Sequence, residues 1–282
     1  MAGLNQQLDL FVASATDISP KEHQDLMTRC WFSLAKQKRT EPIEHKFGDS
    51  WVKVSGDPQY GIATIFDNDI LLFAIAQLKF NMNNNLAVGR RFQFTGYEYW
   101  KFVNKNRSGG KGYADLWASL QRLHHTYVET NIRQGSSRRH HSFVWLSDIK
   151  QSFENGRHRG YEITLPEWLY DSVVNDNLVL TLDDGYFDIR GGLERWIYLF
   201  ARKTSGYSKV GWQETIENIH RKSGSKSPLK AFRRQLQKII SKGKIIDYAI
   251  EPSFDRNGLK ALAFPRVSSQ LRKIADRRYS DD

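Results

Sequence analysis

Basic side chains recur at helical spacing in one segment near the C-terminal end of the chain. Lys230, Arg234 and Lys238 follow one another at intervals of four residues, and Arg233 and Gln237 lie beside them. No acidic residue occurs between positions 221 and 244. Because like charges at i and i+4 repel by a few tenths of a kcal/mol, a solvated helix face usually mixes both signs. The stripe therefore predicts a helix that contacts the major groove of DNA, with a solvated face as the alternative.

The composition supports an anionic partner for the whole chain. Its 282 residues include 42 Lys and Arg against 31 Asp and Glu, a net charge of +11. This surplus indicates nucleic acid or an anionic membrane surface. No apolar run approaches the ~20 residues needed to span a bilayer, and no secretory signal is recognisable. A single cysteine, Cys30, suits a reducing compartment, so we expect a soluble, cytoplasmic, DNA-binding protein.

A second basic cluster lies in the first half. Two predicted strands, 126–132 and 141–149, flank a loop that contains Arg133, Arg138, Arg139 and His140. These side chains are interpreted as phosphate contacts, which position a protein without specifying sequence. An ordinary polar hairpin tip is the alternative. The helix before this hairpin contributes Lys111 and Arg122 as further DNA contacts, although Asp115 on the same helix weakens that case.

The elements that must position these residues are predicted in the same order twice. Hydrophobic periodicity predicts helices at 64–80 (N-cap Asp67 or Asn68), 95–104 and 113–125, with a short strand at 90–94, and then the hairpin described above. The second half follows with helices at 191–206, 211–224 and 227–244 (N-cap Ser227), then a hairpin at 245–264 that turns at Asn257-Gly258. Three helices followed by a hairpin is the order of a winged helix, a variant of the helix-turn-helix. We predict an α+β protein with two tandem winged-helix domains, 21–178 and 190–282, after a flexible tail at 1–20.

Two pairs of adjacent histidines are the candidates for an enzymatic site. His124-His125 and His140-His141 occur near Tyr127, and a metal-dependent nicking enzyme needs a His-x-His metal pair and a nucleophilic Tyr. Adjacent residues on a helix point about 100° apart and cannot readily share a metal. No phosphate-cradling loop or nucleophile elbow is present. We therefore expect no catalytic site, no metal and no cofactor; nicking of DNA in the presence of Mg²⁺ would restore the enzyme alternative.

The segments RRFQFTGYEYW, GGKGYADLWASLQRLHHTYVETNI, GLERWIYLFARK and SPLKAFRRQLQKI resemble bacterial plasmid replication initiators of the replication initiator protein A type. These are similar to the wider group of iteron-binding initiators with two winged-helix domains. The resemblance covers roughly residues 60–270. It implies that the helix at 227–244, with Lys226, Lys230, Arg233, Arg234 and Lys238, contacts repeated origin sequences, and that Arg133, Arg138 and Arg139 touch an adjacent stretch of backbone.

The same resemblance implies partners and a mechanism. It implies local opening of origin DNA, recruitment of the host initiator and replicative helicase, and a homodimer in equilibrium with the monomer, the dimer often repressing the initiator's own gene. A DNA-binding transcriptional regulator without a replication role is the alternative from another class. Regulators commonly join one DNA module to a ligand or dimerisation domain, whereas both halves here resemble DNA modules.

The N-terminal segment QLDLF (7–11) has a separate interpretation. It is similar to the short peptide by which bacterial replication proteins bind the DNA polymerase sliding clamp. The resemblance implies that an extended tail places its side chains in separate clamp pockets: Gln7, Leu8, Leu10 and Phe11. The alternative is that Leu8, Leu10 and Phe11 fold back onto the first domain.

Overall fold

The computed structural model describes residues 10–104, 110–132, 140–175, 178–256 and 258–266. The first half contains these elements in chain order: β1 (Leu10–Val12), β2 (Lys21–His23), β3 (Ile43–Phe47), β4 (Ser50–Gly56), α1 (Asn68–Asn83), β5 (Arg91–Phe94), α2 (Gly96–Phe102), α3 (Gly110–His124), β6 (Thr126–Thr130), β7 (His141–Val144), β8 (Asp148–Glu154), β9 (Arg157–Thr164) and α4 (Glu167–Val174). The second half continues with β10 (Val179–Thr181), α5 (Gly192–Thr204), β11 (Gln213–Thr215), α6 (Ile216–Ser223), α7 (Leu229–Ile240), β12 (Lys244–Ile245), β13 (Tyr248–Ala249), β14 (Glu251–Asp255) and β15 (Gly258–Ala263).

One topology occurs in both halves. In the first half, α1, β5, α2 and α3 are followed by the hairpin β8–β9, and the sheet order is β1-β5-β9-β8. In the second half, α5, β11, α6 and α7 are followed by the hairpin β14–β15, and the sheet order is β11-β15-β14. In each case the strand between the first two helices pairs antiparallel with the last strand of the hairpin. The repeat expected from element order is therefore present as a shared topology.

The hairpin predicted for the first half is not the one that completes this topology. β6 and β7 do pair, with Tyr127 opposite Val144, but they belong to a separate sheet of order β3-β4-β6-β7. The position equivalent to β14–β15 is occupied by β8–β9, which was not predicted. The apolar face of β5 decides the pairing, because Phe92 and Phe94 lie opposite Ile163 and Tyr161 of β9.

Most helices begin and end where local sequence signals place them. Asp67 precedes α1, and Thr95 caps α2 in a capping box in which the Glu98 carboxylate accepts the Thr95 backbone N–H. Two predictions were wrong in detail. Residues 213–215 form strand β11 instead of helix, because they pair with β15. Pro228, not Ser227, occupies the N-cap position of α7.

The two halves meet at a buried ion pair. Arg195 of α5 and Asp69 of α1 are each 1% exposed, and their side chains approach to 2.6 Å. The guanidinium also donates to the backbone oxygen of Ile189 at 2.8 Å. It lies over the rings of Phe66 and Tyr186, at 4.6 and 4.9 Å from the ring centroids. The predicted domain boundaries stay a prediction, but the buried residues of both halves form one continuous core.

The N-terminal segment from residue 10 onward is ordered, which corrects the expectation of a flexible tail through residue 20. β1 runs parallel to β5, with Phe11 opposite Phe92. Phe11 is 2% exposed and stacks on Phe92 with ring centroids 4.7 Å apart. The backbone N–H of Ser14 donates to the Gln77 side chain at 3.0 Å. Leu10 and Phe11 therefore fold onto the first half, while Gln7 and Leu8 lie outside the described residues. Phe11 has no free surface for a clamp, because its ring fills the core.

Replacing Phe11 with Ala should destabilise the protein. Truncating a buried Phe leaves a cavity beside Phe92 and typically costs about 3–5 kcal/mol of unfolding free energy. Thermal or denaturant unfolding of Phe11→Ala measures this loss. Val12→Ala is the matched control, because Val12 is 56% exposed on the same strand and should change stability by less than about 0.5 kcal/mol. Equal stability of the two variants would place the Phe11 ring outside the core.

Glu22 of β2 generates a prediction about pH. Its side chain is fully buried, and it accepts hydrogen bonds from the Asn68 side-chain amide and from the His23 backbone N–H. Burial, assisted by the charge of Asp69, raises the pKa of Glu22 from 4.5 to about 8. The folded protein thus holds a proton that the unfolded chain releases above pH 4.5. This group's contribution to stability is complete below that pH and declines as pH rises toward 8.

The variant Glu22→Gln should therefore gain stability relative to the unmodified protein as pH rises. The slope of the difference is at most about 1.4 kcal/mol per pH unit between pH 4.5 and 8. Unfolding by denaturant at several pH values measures it. Glu44→Gln, at an exposed position of β3, is the control and should show no such slope. A stability difference independent of pH across this window would mean that Glu22 is ionised in the fold.

Candidate nucleic-acid interface

Helix α7 separates an apolar face from a basic face. Its buried residues are Phe232, Leu236 and Ile239, and the Phe232 ring lies 4.7 Å from the ring of His220 in α6. The exposed face carries the polar side chains that spacing alone assigned to it. We call the exposed residues Lys230, Arg234, Gln237 and Lys238 the α7 basic surface.

Two of the side chains predicted to contact DNA form ion pairs with acidic residues. Lys226 pairs with Glu41, whose pKa is lowered by its hydrogen bond with that ammonium group. Arg233 pairs with Glu217 of α6 at 2.6 Å. These carboxylates come from outside the stretch 221–244, so the absence of acids in that stretch did not predict them. Lys226 and Arg233 therefore carry partly compensated charges.

The α7 basic surface keeps its charges uncompensated. Within the part of the chain that the structure describes, no carboxylate forms an ion pair with Lys230, Arg234 or Lys238. All three side chains are exposed. Long, solvated cations on one helix face can reach phosphates and the edges of guanine without first breaking a contact in the protein.

In the first half, Arg122 has a structural role. Its guanidinium donates to both carboxylate oxygens of Asp67, Nε at 2.8 Å and Nη2 at 2.7 Å, and Asp67 is 2% exposed. The bond with Asp67 raises the pKa of Arg122. This fork ties the C-terminal part of α3 to the start of α1. The DNA contact of Arg122 stays a prediction, and the ion pair makes Arg122 a weaker candidate because releasing it would leave a buried carboxylate unpaired.

The remaining polar face of α3 borders a groove of mixed charge. Asp115 and Ser119 line this groove, which has a volume of about 740 Å³ and is bounded opposite by Asp188 and Arg190. Lys111 is exposed on the first turn of α3. Lys111 thus stays a predicted contact, and the acidic residues make this helix a weaker candidate than α7.

The residues predicted at the tip of the first hairpin are only partly described. Arg133, Arg138 and Arg139 lie outside the described residues, so their role stays a prediction. His140 is exposed, and its ring meets Trp51 edge-on at 5.2 Å. Sequence reasoning missed the basic residues of β9, Arg157 and Arg159, although the Asn155-Gly156 pair before them is a turn signal.

The histidine pair in α3 is accounted for by backbone contacts. His124 Nδ1 lies 2.8 Å from the carbonyl oxygen of Leu146, and His125 Nδ1 lies 2.9 Å from that of Gln121. Across the described ranges, no group of three or more His, Cys, Asp or Glu side chains could hold a metal ion. In those same ranges, no helix is both long and apolar enough to cross a membrane.

This chain is similar in fold to two solved structures and in sequence to a named relative and to one family model. Two crystal structures of domains 2 and 3 of RctB are similar in fold, with TM-scores of 0.59 and 0.54 at 11% and 10% identity, each covering 86% of this chain and 97% of the other. A protein of Wigglesworthia glossinidia brevipalpis named "Putative replication protein" is 32% identical over 248 residues, which are 86% of this chain and 88% of that protein. The family model for replication initiator protein A matches residues 21–250. The chain therefore belongs to the replication initiator protein A family.

Proposed function

We propose that this protein initiates plasmid replication by binding repeated duplex sequences, or iterons, at an origin. The observation that carries the proposal is the α7 basic surface, where three exposed cations have no carboxylate partner among the described residues. A helix of about this length fits the major groove, and Arg and Lys there can contact both bases and phosphates. Family membership supports the replication context.

We assign the repeated topology to two winged helices. Both halves contain the order helix, strand, helix, helix and hairpin. In both, the strand between the first two helices pairs with the last strand of the hairpin. In this assignment α7 is the recognition helix of the second module and β14–β15 is its wing. The corresponding parts of the first module are α3 and β8–β9. Two modules on one chain suit a site in which the protein contacts more than one segment of a duplex.

The wider mechanism is proposed from the family. The protein opens adjacent DNA, recruits the host initiator and helicase, and shifts between monomer and homodimer, the dimer repressing its own gene. It acts in the cytoplasm as a binding protein, without catalysis or cofactor. A sliding-clamp contact through Leu10 and Phe11 is not part of the proposal, because Phe11 is in the core.

Two measurements test the proposal. Footprinting of DNA that flanks the gene, with a chemical probe for unpaired bases, should show protection at tandem repeats and reactivity in a neighbouring AT-rich stretch. The gene with this flanking DNA should also sustain an otherwise non-replicating circle. Protection and repression without unpaired bases or replication would favour a transcriptional regulator. Cleavage of the same DNA with Mg²⁺ would favour an enzyme.

Substitution of Arg234 or Lys230 by Ala should weaken specific binding while leaving the fold intact. A base-contacting Arg is worth about 1–3 kcal/mol of discrimination. Fluorescence anisotropy with the footprinted duplex measures the affinity, and thermal melting verifies the fold. Lys226→Ala is the matched control, because the Lys226 charge is paired with Glu41, and it should lose less affinity. Unchanged affinity in both Arg234→Ala and Lys230→Ala would exclude α7 as the DNA-contacting helix.

A further inference from the structure

The two topologically equivalent hairpins share a short sequence. The strand β8 ends in Ser152-Phe153-Glu154, and the strand β14 ends in Ser253-Phe254-Asp255. In the sequence, each triplet is followed closely by an Asn-Gly pair, at 155–156 and at 257–258. The triplets occupy corresponding positions because the second strand of each hairpin pairs with the strand between the first two helices of its half. The match is thus a local repeat within a topological repeat.

The strand pairing repeats the same irregularity at the same step. In β8–β9 the register shifts between Ser152 and Phe153, so that Ser152 is opposite Gly160 and Phe153 is opposite His158. The intervening Arg159 has no partner in the register. In β14–β15 the shift lies between Ser253 and Phe254, which are opposite Ala261 and Leu259. Lys260 is left out in the same way. Each hairpin therefore has a β-bulge with a phenylalanine on the first strand and an unpaired cation in the register of the second strand. A β-bulge changes the direction in which side chains point.

Both phenylalanines are exposed to solvent. Phe153 is 62% exposed and Phe254 is 65% exposed, although the core of this protein buries many other phenyl rings. The ring of Phe153 lies 5.4 Å from His158, whose ring lies 4.8 Å from Tyr113 on the first turns of α3. An aromatic row thus connects the hairpin to the third helix of its module.

The charge around each ring is positive. Residues 152–159 contain Glu154 against Arg157 and Arg159, a net charge of +1, and Arg159 pairs with Glu154 at 2.5 Å. Residues 253–260 contain Asp255 against Arg256 and Lys260, again a net charge of +1. An exposed apolar ring beside a net positive charge fits a ligand with an apolar interior and an anionic edge. A DNA groove has this combination, with sugars and base edges between two rows of phosphates.

Building on the proposed function, we propose that Phe153 and Phe254 are paired DNA contacts, each inserted as an apolar wedge into the minor groove of the duplex bound by its module. The bulged cations Arg159 and Lys260 face the phosphates beside each insertion. A wedge that partly unstacks a base step bends the duplex and lets it contact more protein surface. The contact is made on paired DNA and does not require unpaired bases.

The test uses Phe153→Ala, Phe254→Ala and the variant with both Ala substitutions. These are compared with Phe153→Leu and Phe254→Leu. Affinity for the fluorescein-labelled footprinted duplex is measured by anisotropy over a series of salt concentrations. We expect each Ala variant to bind roughly tenfold more weakly with an unchanged salt slope, because no charge is removed. Leu is also an effective wedge, so the Leu variants should keep most of the affinity. Arg159→Ala with Lys260→Ala should instead reduce the salt slope by about 0.9 per lost phosphate contact.

Each alternative gives a distinct result. Tyr127→Ala is the control, because Tyr127 is an exposed aromatic residue of the sheet β3-β4-β6-β7. This variant should bind as the unmodified protein does. The inference is overturned if the Ala variants bind the duplex normally but lose affinity for the single strand. It is also overturned if Leu fails to replace Phe. Either result means that the rings stack on unpaired bases. If the Ala variants lose only self-association in sedimentation, the rings contact protein and the inference is also overturned. Failure of the unmodified protein to bind the flanking DNA would reject the proposed function itself.

Discussion

The buried pair of Arg195 and Asp69 is the interaction on which the arrangement of this protein depends. Removing either partner would leave an unpaired charge in the core, a change that typically costs about 3–5 kcal/mol. The guanidinium is further held by the carbonyls of Ile189 and Phe187 and by two aromatic faces. Because Arg195 belongs to α5 and Asp69 to α1, the pair joins the first helix of each repeat. The position of α3 relative to α7 depends on that junction.

The segment between β2 and α1 reinforces this junction by close packing. A side chain at Gly192 would approach the Leu34 backbone oxygen to 1.9 Å, and one at Gly224 would approach Cys30 Cβ to 2.5 Å. The Arg39 guanidinium donates to the Gly224 carbonyl at 2.9 Å. Burial raises the pKa of Cys30 to about 12, so the thiol stays protonated as a small apolar group. The second half thus packs on the first through close contacts at Gly192 and Gly224 that only glycine permits.

The basic side chains on the surface of this core differ in their partners. Lys226, Arg233 and Arg122 pair with Glu41, Glu217 and Asp67, whereas the cations of the α7 basic surface form no ion pair with a carboxylate among the described residues. The hairpins β8–β9 and β14–β15 extend the same division, with apolar residues toward the core and exposed Phe and basic residues at the tips. A duplex bound by both modules would meet cationic groups and apolar rings supported by one continuous core.

The sequence by itself determined the elements whose signals are local. The apolar run of α1, the capping box of α2 and the amphipathic pattern of α7 each specify a helix within a few residues. The segments that resemble the family include those of α2 and α7. Tertiary structure decided which hairpin completes the first repeat, that Phe11 enters the core, and which basic side chains are neutralised. Those outcomes depend on partners far apart in the chain, such as Lys226 and Glu41, which are 185 residues apart. Periodicity predicts which face of an element is polar, but only packing determines what that face meets.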